Sequence, residues 1–433
     1  MRPPHQRNLI PATLLALLGL TAPAAAQVAA QYTLTDLGLP GTSSRAYGIT
    51  NGATGPQTVV GWLSGPGPRL ATEWVGGGAP VTLVPLAGDT TSEARGVNVV
   101  NGVTTPVGFS TNAAGTADKA VSWTGTVPNN LLITSAPAFT GAPVPFTQSR
   151  AEAISPTGEI VGHAYSDGNF DTGSPNFPAG LRGFYRSPGG AVTRLDPITG
   201  TSNFPLDAAL SYGINSSSQV FGQTDDGSGT DINYRGVRWG SPSGSNTNPL
   251  INGLVYPTAA GLPQYFGFKG NNANRIAGTA SDQTIAAQAT RSQGFASDGT
   301  TTTLLDNLGG NGAGFFGIVN AINNAAINVL VGGSGSGAGL GSGEHATAWN
   351  WSGTNPTVTP IDLNTRLLAN PTNMTLIEAF DVNDNGQIVG YGSVGGIEHA
   401  FLLTPVPEPG TLALVGLGLG GLALRTWRRR RAG

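Results

Sequence analysis

The chain has 433 residues, with 21 lysines and arginines against 24 aspartates and glutamates, a net charge of −3 and no cysteine. Lack of cysteine excludes disulfides, thiolate metal sites and a cysteine nucleophile. Charged residues are only 10 % of the chain, while 66 glycines and 31 prolines suit many short strands and turns better than helices.

At the start, Arg2 and Arg7 precede the apolar stretch Leu9 to Leu20, and Ala24 and Ala26 place small residues just before Gln27. This layout predicts a secretory signal peptide over residues 1–26, with signal peptidase as the first partner. Seven of the basic residues and Glu408 lie at the two ends of the chain; between them 14 basic residues face 23 acidic ones, about −9. With Lys119 and Lys269 as its only lysines, the remaining body lacks the basic stripe that a phosphate backbone requires, and nucleic acid is excluded as a partner.

Residues 27–404 are built from repeats. One unit is an apolar residue and Asn, a Gly or Asn turn, two apolar residues, then Gly. It is clearest from Ala379 through Asp381, Asn383, Asn385 and Gly386 to Gly390. Its closing glycines are Gly61, Gly108, Gly162, Gly222, Gly278, Gly332 and Gly390, spaced 47 to 60 residues apart. A second signature follows each, a polar residue, Ala or Gly, then an apolar strand often ending in Trp, as in Leu70 to Trp74, Lys119 to Trp123, Arg235 to Trp239 and His345 to Trp349. A short strand such as Val192 to Asp196 follows most copies. The units resemble the bacterial extracellular HAF repeat, whose His-Ala-Phe stands at His399-Ala400-Phe401. That resemblance implies a secreted, often surface-anchored repeat protein and brings no catalytic residues.

Four short strands per repeat of about 55 residues make one blade of a β-propeller. Asn385-Gly386 predicts a type I′ turn in the first hairpin. The seventh copy ends at Leu403-Thr404 without its last strand, and Tyr32 to Leu37, ahead of the first copy, matches the missing piece. An all-β, seven-bladed β-propeller closed by its N-terminal strand is therefore predicted, because closure pairs the free edges. The alternative is a β-solenoid, whose coils are usually much shorter.

Repetition also weighs the candidate sites. Asp36, Asp196, Asp306 and Asp362 occupy matching positions, which points to strand-end hydrogen bonding, and Asn51, Asn98, Asn215, Asn323 and Asn383 point to hairpin turns. Asp381, Asn383 and Asn385 alternate as in a calcium loop, but the twelfth position from Asp381 is Gly392 and not glutamate, so a hairpin is the favoured reading and no cofactor is assigned. The same holds for Asp225, Asp226 and Asp231, read as a solvated acidic loop. His345 and His399 are repeat positions, and His163 is the least symmetric histidine. No catalytic residue is assigned. Carboxylates among Glu152, Glu159, Asp167 and Asp171, with the long insertions Gly125 to Ser149, Ser166 to Leu181 and Ser241 to Gln264, are the route to an enzyme.

The chain closes with Val406-Pro407-Glu408-Pro409-Gly410, the apolar run Thr411 to Leu424, and Arg425, Arg428, Arg429, Arg430 and Arg431. Fourteen residues at ~1.5 Å rise give roughly 21 Å, a short membrane helix held at its end by arginines. Residues 405–433 resemble the PEP-CTERM sorting signal, which exosortases process at the envelope of exopolysaccharide-producing Gram-negative bacteria. The resemblance implies an exosortase substrate delivered to the cell surface or extracellular matrix. The functional expectation is a non-catalytic structural or binding module associated with exopolysaccharide. A polysaccharide-acting hydrolase or lyase and a platform for other surface proteins are the alternatives.

Overall fold

A computed structural model of the chain describes residues 27–52, 56–138, 146–165, 181–195, 208–225, 234–240, 262, 264–282, 290–312, 314–335, 343–353 and 358–407. The signal peptide with Ala24 and Ala26, Asp167, Asp171, Asp196, Asp226 and Asp231, and the tail from Glu408 onward lie outside these residues. So do nearly all of the insertions Ser166 to Leu181 and Ser241 to Gln264, and residues 139–145 of the first.

Seven antiparallel sheets form a ring, and the fold is the predicted β-propeller. The inner strands are Ser43–Ile49, Asp89–Val100, Gln148–Ile154, Ala209–Ile214, Gln264–Gly270, Gly317–Ile322 and Thr375–Val382, opening blades 1 to 7 in turn. Each blade then runs outward strand by strand, and the second repeat signature supplies its third strand. Six blades have four strands; blade 4 has three among the described residues. Blade 7 is completed by Tyr32–Asp36, which pairs antiparallel with Ile397–Pro405 in the register Tyr32↔Pro405 to Asp36↔Phe401. The predicted closure is thus observed.

The core lies between the blades. Every junction has its own apolar cluster, and the closing one, between blades 7 and 1, joins Leu37, Ile49, Val59 and Trp74 to Val389, Ala400 and Leu402. The repeated tryptophans add a polar tie. Trp74, Trp123 and Trp349 donate their indole N–H to the backbone oxygens of Leu37, Val84 and Asp306, each at the outer edge of the preceding blade. Serines early in the inner strands do likewise, Ser44, Ser92 and Ser149 accepting from the N–H of Ala400, Ala71 and Ala120.

Every inner strand carries a β-bulge at the same place, opposite the repeat's closing glycine. The bulge presses the inner strand against its partner. A Cβ on any of the seven closing glycines would lie 1.8–2.0 Å from a carbonyl oxygen of the inner strand, which is why each repeat places Gly there. The extra residues are Tyr47, Arg95, Glu152, Tyr212, Phe268, Asn320 and Phe380, one from each blade.

The first hairpin of blade 7 corrects one expectation. Only Gly386 has a positive φ, +74°, and Gly386 N–H bonds back to Asn383 O, so the turn is a longer one with glycine in the left-handed position. The two-residue turn with both φ positive occurs instead at Asn101-Gly102, with φ of 51° and 80°, between paired Val100 and Val103.

Candidate functional site

The repeat asparagine does two jobs. In blade 7 the Asn383 Oδ1 accepts from the N–H groups of Asn385 and Gln387, fixing the turn, while its Nδ2 donates to Thr50 O of blade 1. Asn215 donates to Asn271 O, Asn271 to Asn323 O and Asn323 to Asn383 O, so the ties run unbroken from blade 4 round to blade 1. Asn98 similarly reaches Ile154 O. In blade 1 this position is Thr50, and Asn51 stands one place further on, exchanging hydrogen bonds with Asp384. Replacing Asn383 by alanine removes turn and tie together. We expect a loss of about 2–3 kcal/mol, measured by urea unfolding.

The other repeat positions are also engaged. Asp36 accepts from Gly38 N–H and meets His399 Nδ1 at 3.0 Å; Asp362 accepts from Asn364 N–H and meets His345 Nδ1 at 2.7 Å. Asp306 accepts from the Asn311 side chain. Glu159 sits in a cage of hydroxyls from Ser155, Thr157, Tyr185 and Ser218, the last of these belonging to blade 4. Burial would raise its pKa, but the bonds from Ser218, Thr157, Ser155 and Tyr185 together hold it below the usual glutamate value. Burial and Glu159 push the Tyr185 phenol up to about 12.

Of the candidate calcium oxygens, Asp381 Oδ1 receives Lys269 Nζ at 2.8 Å and Oδ2 receives Ile49 N–H, while Asn385 Nδ2 donates across to Gly52 O. Among the described residues no group of three His, Asp or Glu side chains is arranged around a metal position.

A cavity of about 130 Å³ lies on the ring axis, on the face of the first-hairpin turns, and all seven blades line it. Its wall is an apolar belt of Ile49, Val97, Ile154, Ile214, Ile322 and Val382. The Lys269–Asp381 ion pair reaches from blade 5 to blade 7, and Glu152 of blade 3 also lines the cavity. Bulge residues of neighbouring blades pack on one another. Arg95 stacks 4.3 Å from the Tyr47 ring, Tyr47 lies 4.8 Å from Phe380, and Tyr212 lies 5.4 Å from Phe268. Glu152 has a side chain 15 % exposed. Its pKa is raised by burial and by Glu93, against Arg95, Arg150 and Lys269. His163, buried 3.8 Å from Glu152, is held well below its ordinary pKa by burial and by Arg150 and Arg95, and is neutral.

At the junction of blades 6 and 7, Glu344 and Glu378 close over Gly333, where a Cβ would meet Glu344 Oε1 at 2.8 Å and Glu378 Cγ at 3.3 Å. Burial, with Glu344 beside it, pushes Glu378 up to about 7, against the Asn320 hydrogen bond and the Arg45 cation. A glutamate unfolds to a value near 4.5. Its folded form therefore binds the proton more tightly, and the stabilisation is complete below pH 4.5 and lost as pH rises to about 7. Glu152 and Glu344 are raised too and act in the same sense. Urea midpoints should fall between pH 4.5 and 7, and Glu378→Gln should flatten that slope.

Of the acids read from the sequence, Glu152 reaches the axis and Glu159 serves a turn. Lys269, Glu344 and Glu378 were not anticipated. Lys269 had a signal, because its matching positions are Gly48, Gly96, Ala153, Gly213, Ala321 and Asp381; the Glu344–Glu378 pair had none.

Ring and tail together define the class, a β-propeller carrying a sorting signal. Residues 405–430 match the PEP-CTERM protein-sorting motif, which marks the chain for export and exosortase processing to the cell surface or extracellular space. Among the described residues no helix is long and apolar enough to cross a membrane, and the apolar run 411–424 lies outside them. No curated protein matches the chain. Among solved structures it is similar to Trypanosoma rangeli sialidase in complex with sialic acid, at 10 % identity and TM-score 0.38, covering 94 % of this chain and 61 % of that one. It is also similar to a streptogramin B lyase, at 12 % identity and TM-score 0.35, covering 88 % of this chain and 99 % of that one. A Dyadobacter fermentans protein of unknown function matches at 12 % and 0.37, covering 89 % and 100 %. This chain thus spans about 61 % of the sialidase's length. At these values the likenesses carry nothing about activity, and the fold stands on its strand pairing.

Proposed function

We propose that the protein is a non-catalytic structural and binding component of the surface or extracellular matrix, associated with exopolysaccharide and delivered there by its sorting signal. The carrying observation is how the repeated polar residues are used: asparagine, tryptophan and serine tie blade to blade, and the His–Asp pairs tie strand to strand. Chemistry needs a departure from that symmetry, and repetition favours a scaffold. The HAF-type reading of the units, with its implication of surface-anchored proteins, supports the same role.

The Glu344–Glu378 pair favours a second reading, a polysaccharide-cleaving enzyme, since a carboxyl protonated near neutral pH beside a second acid has the makings of a general acid. Incubating the purified protein with its host's own polysaccharide separates the two. The scaffold reading expects co-sedimentation with unchanged polymer length. Shortening of the polymer would replace it with the enzyme reading.

A further inference from the structure

We infer that the axial cavity is a subsite for a single terminal, uncharged sugar ring of a polysaccharide chain, held by Lys269, Asp381 and Glu152. The inference rests on the polysaccharide-binding reading above and adds where and how the chain is held.

The first support is broken symmetry. Just past the bulge, five blades place a small residue and then a branched apolar one: Gly48-Ile49, Gly96-Val97, Ala153-Ile154, Gly213-Ile214 and Ala321-Ile322. Blade 5 inverts the order with Lys269-Gly270, and blade 7 has Asp381-Val382. A packing role would be met by the common pair. Two unlike charges reaching across the axis past an intervening blade serve something the other blades do not.

The second is shape. All seven blades enclose the cavity, and it adjoins a hollow of about 300 Å³ with which it shares Asn51, Asn98 and Asn324. A hole of this size, walled on every side by blades, admits one ring, end on. An internal stretch of polymer would need a groove open at both ends.

The third is chemistry. A sugar ring has apolar C–H faces and a hydroxyl edge; here an apolar belt surrounds an ammonium with spare donors and carboxylates with spare acceptor sites. Lys269 is balanced by Asp381, and the Arg95 guanidinium near Glu152 is paired with Glu93 at 3.0 Å. No excess cation remains to hold a uronic acid, so the fit is to an uncharged unit.

The test is calorimetric titration of the protein, purified from its host's surface fraction, with size-fractionated oligosaccharides from partial hydrolysis of the host's exopolysaccharide. Affinity per chain should be independent of length beyond the first few units. Lys269→Ala and the isosteric Glu152→Gln should each weaken it about tenfold or more, with melting temperatures close to wild type. Affinity per chain that climbs with length, or binding indifferent to both substitutions, would overturn the cavity assignment and leave the polysaccharide-binding reading standing. Failure of the wild type to bind either the fragments or the intact polymer would overturn both.

Discussion

Gly332→Ala is expected to destabilise the protein by more than about 3 kcal/mol, far beyond the usual cost of adding a methyl group. The site is a buried strand, where alanine would ordinarily be tolerated. Here the added Cβ would lie 1.8 Å from Ile318 O and 2.7 Å from its carbonyl carbon, both backbone atoms that no rotamer change can move. The clash is relieved only by opening the bulge at Asn320, whose amide bonds to Glu378 Oε1 and Ala379 O of the next blade. Strain at one glycine therefore passes into the junction between blades 6 and 7. Gly41→Ala is the control, since its Cβ would meet nothing within 4 Å, although its φ of +73° carries the ordinary left-handed penalty. Equal unfolding midpoints for the two variants would contradict the close-approach explanation of the repeat glycine.

Deleting residues 27–37 should have the second large effect, because it removes the outer strand of blade 7. Tyr32 and Leu37 are both buried, and their loss costs about 3–6 kcal/mol by burial alone. The deletion also takes away Leu37 O, the acceptor for Trp74 of blade 1, and so weakens blade 7 and its junction together. The bared edge of Ile397–Pro405 would then be free to pair with another molecule. Melting should drop well below that of a chain lacking 406–433, from which the described part loses little more than the Val406 N–H to Gln31 O bond. Equal melting of the two would remove the thermodynamic case for closure.

The ring was legible because its signals are local and repeated. A glycine that must sit opposite a bulge and an asparagine that must cap a turn recur at fixed places, and counting strands in the seventh copy exposed the one supplied by Tyr32–Asp36. The reason for each residue was less legible. Asn383 reads as a turn former, but its tie to Thr50 of blade 1 joins positions 333 residues apart, which no local pattern reveals. The alternation Asp381, Asn383, Asn385 resembles a metal loop for a similar reason. In a hairpin that ends an inner strand, the same spacing sends one side chain to the axis, one into the turn and one to the next blade. The Glu344–Glu378 pair brings a third strand and an inner strand together over Gly333, and only the folded ring makes them neighbours.

A propeller of this kind joins two properties, a rigid ring whose repeated polar groups hold it together and a tail that determines where the ring is delivered. The tail sets the destination that the proposed binding role requires. Mass spectrometry of the C-terminal peptide, recovered from the surface and matrix of the native host, tests this most directly. The account predicts a peptide ending near Pro407-Glu408-Pro409 and carrying added mass from the attached anchor. An intact tail through Gly433 on the mature surface protein would contradict it.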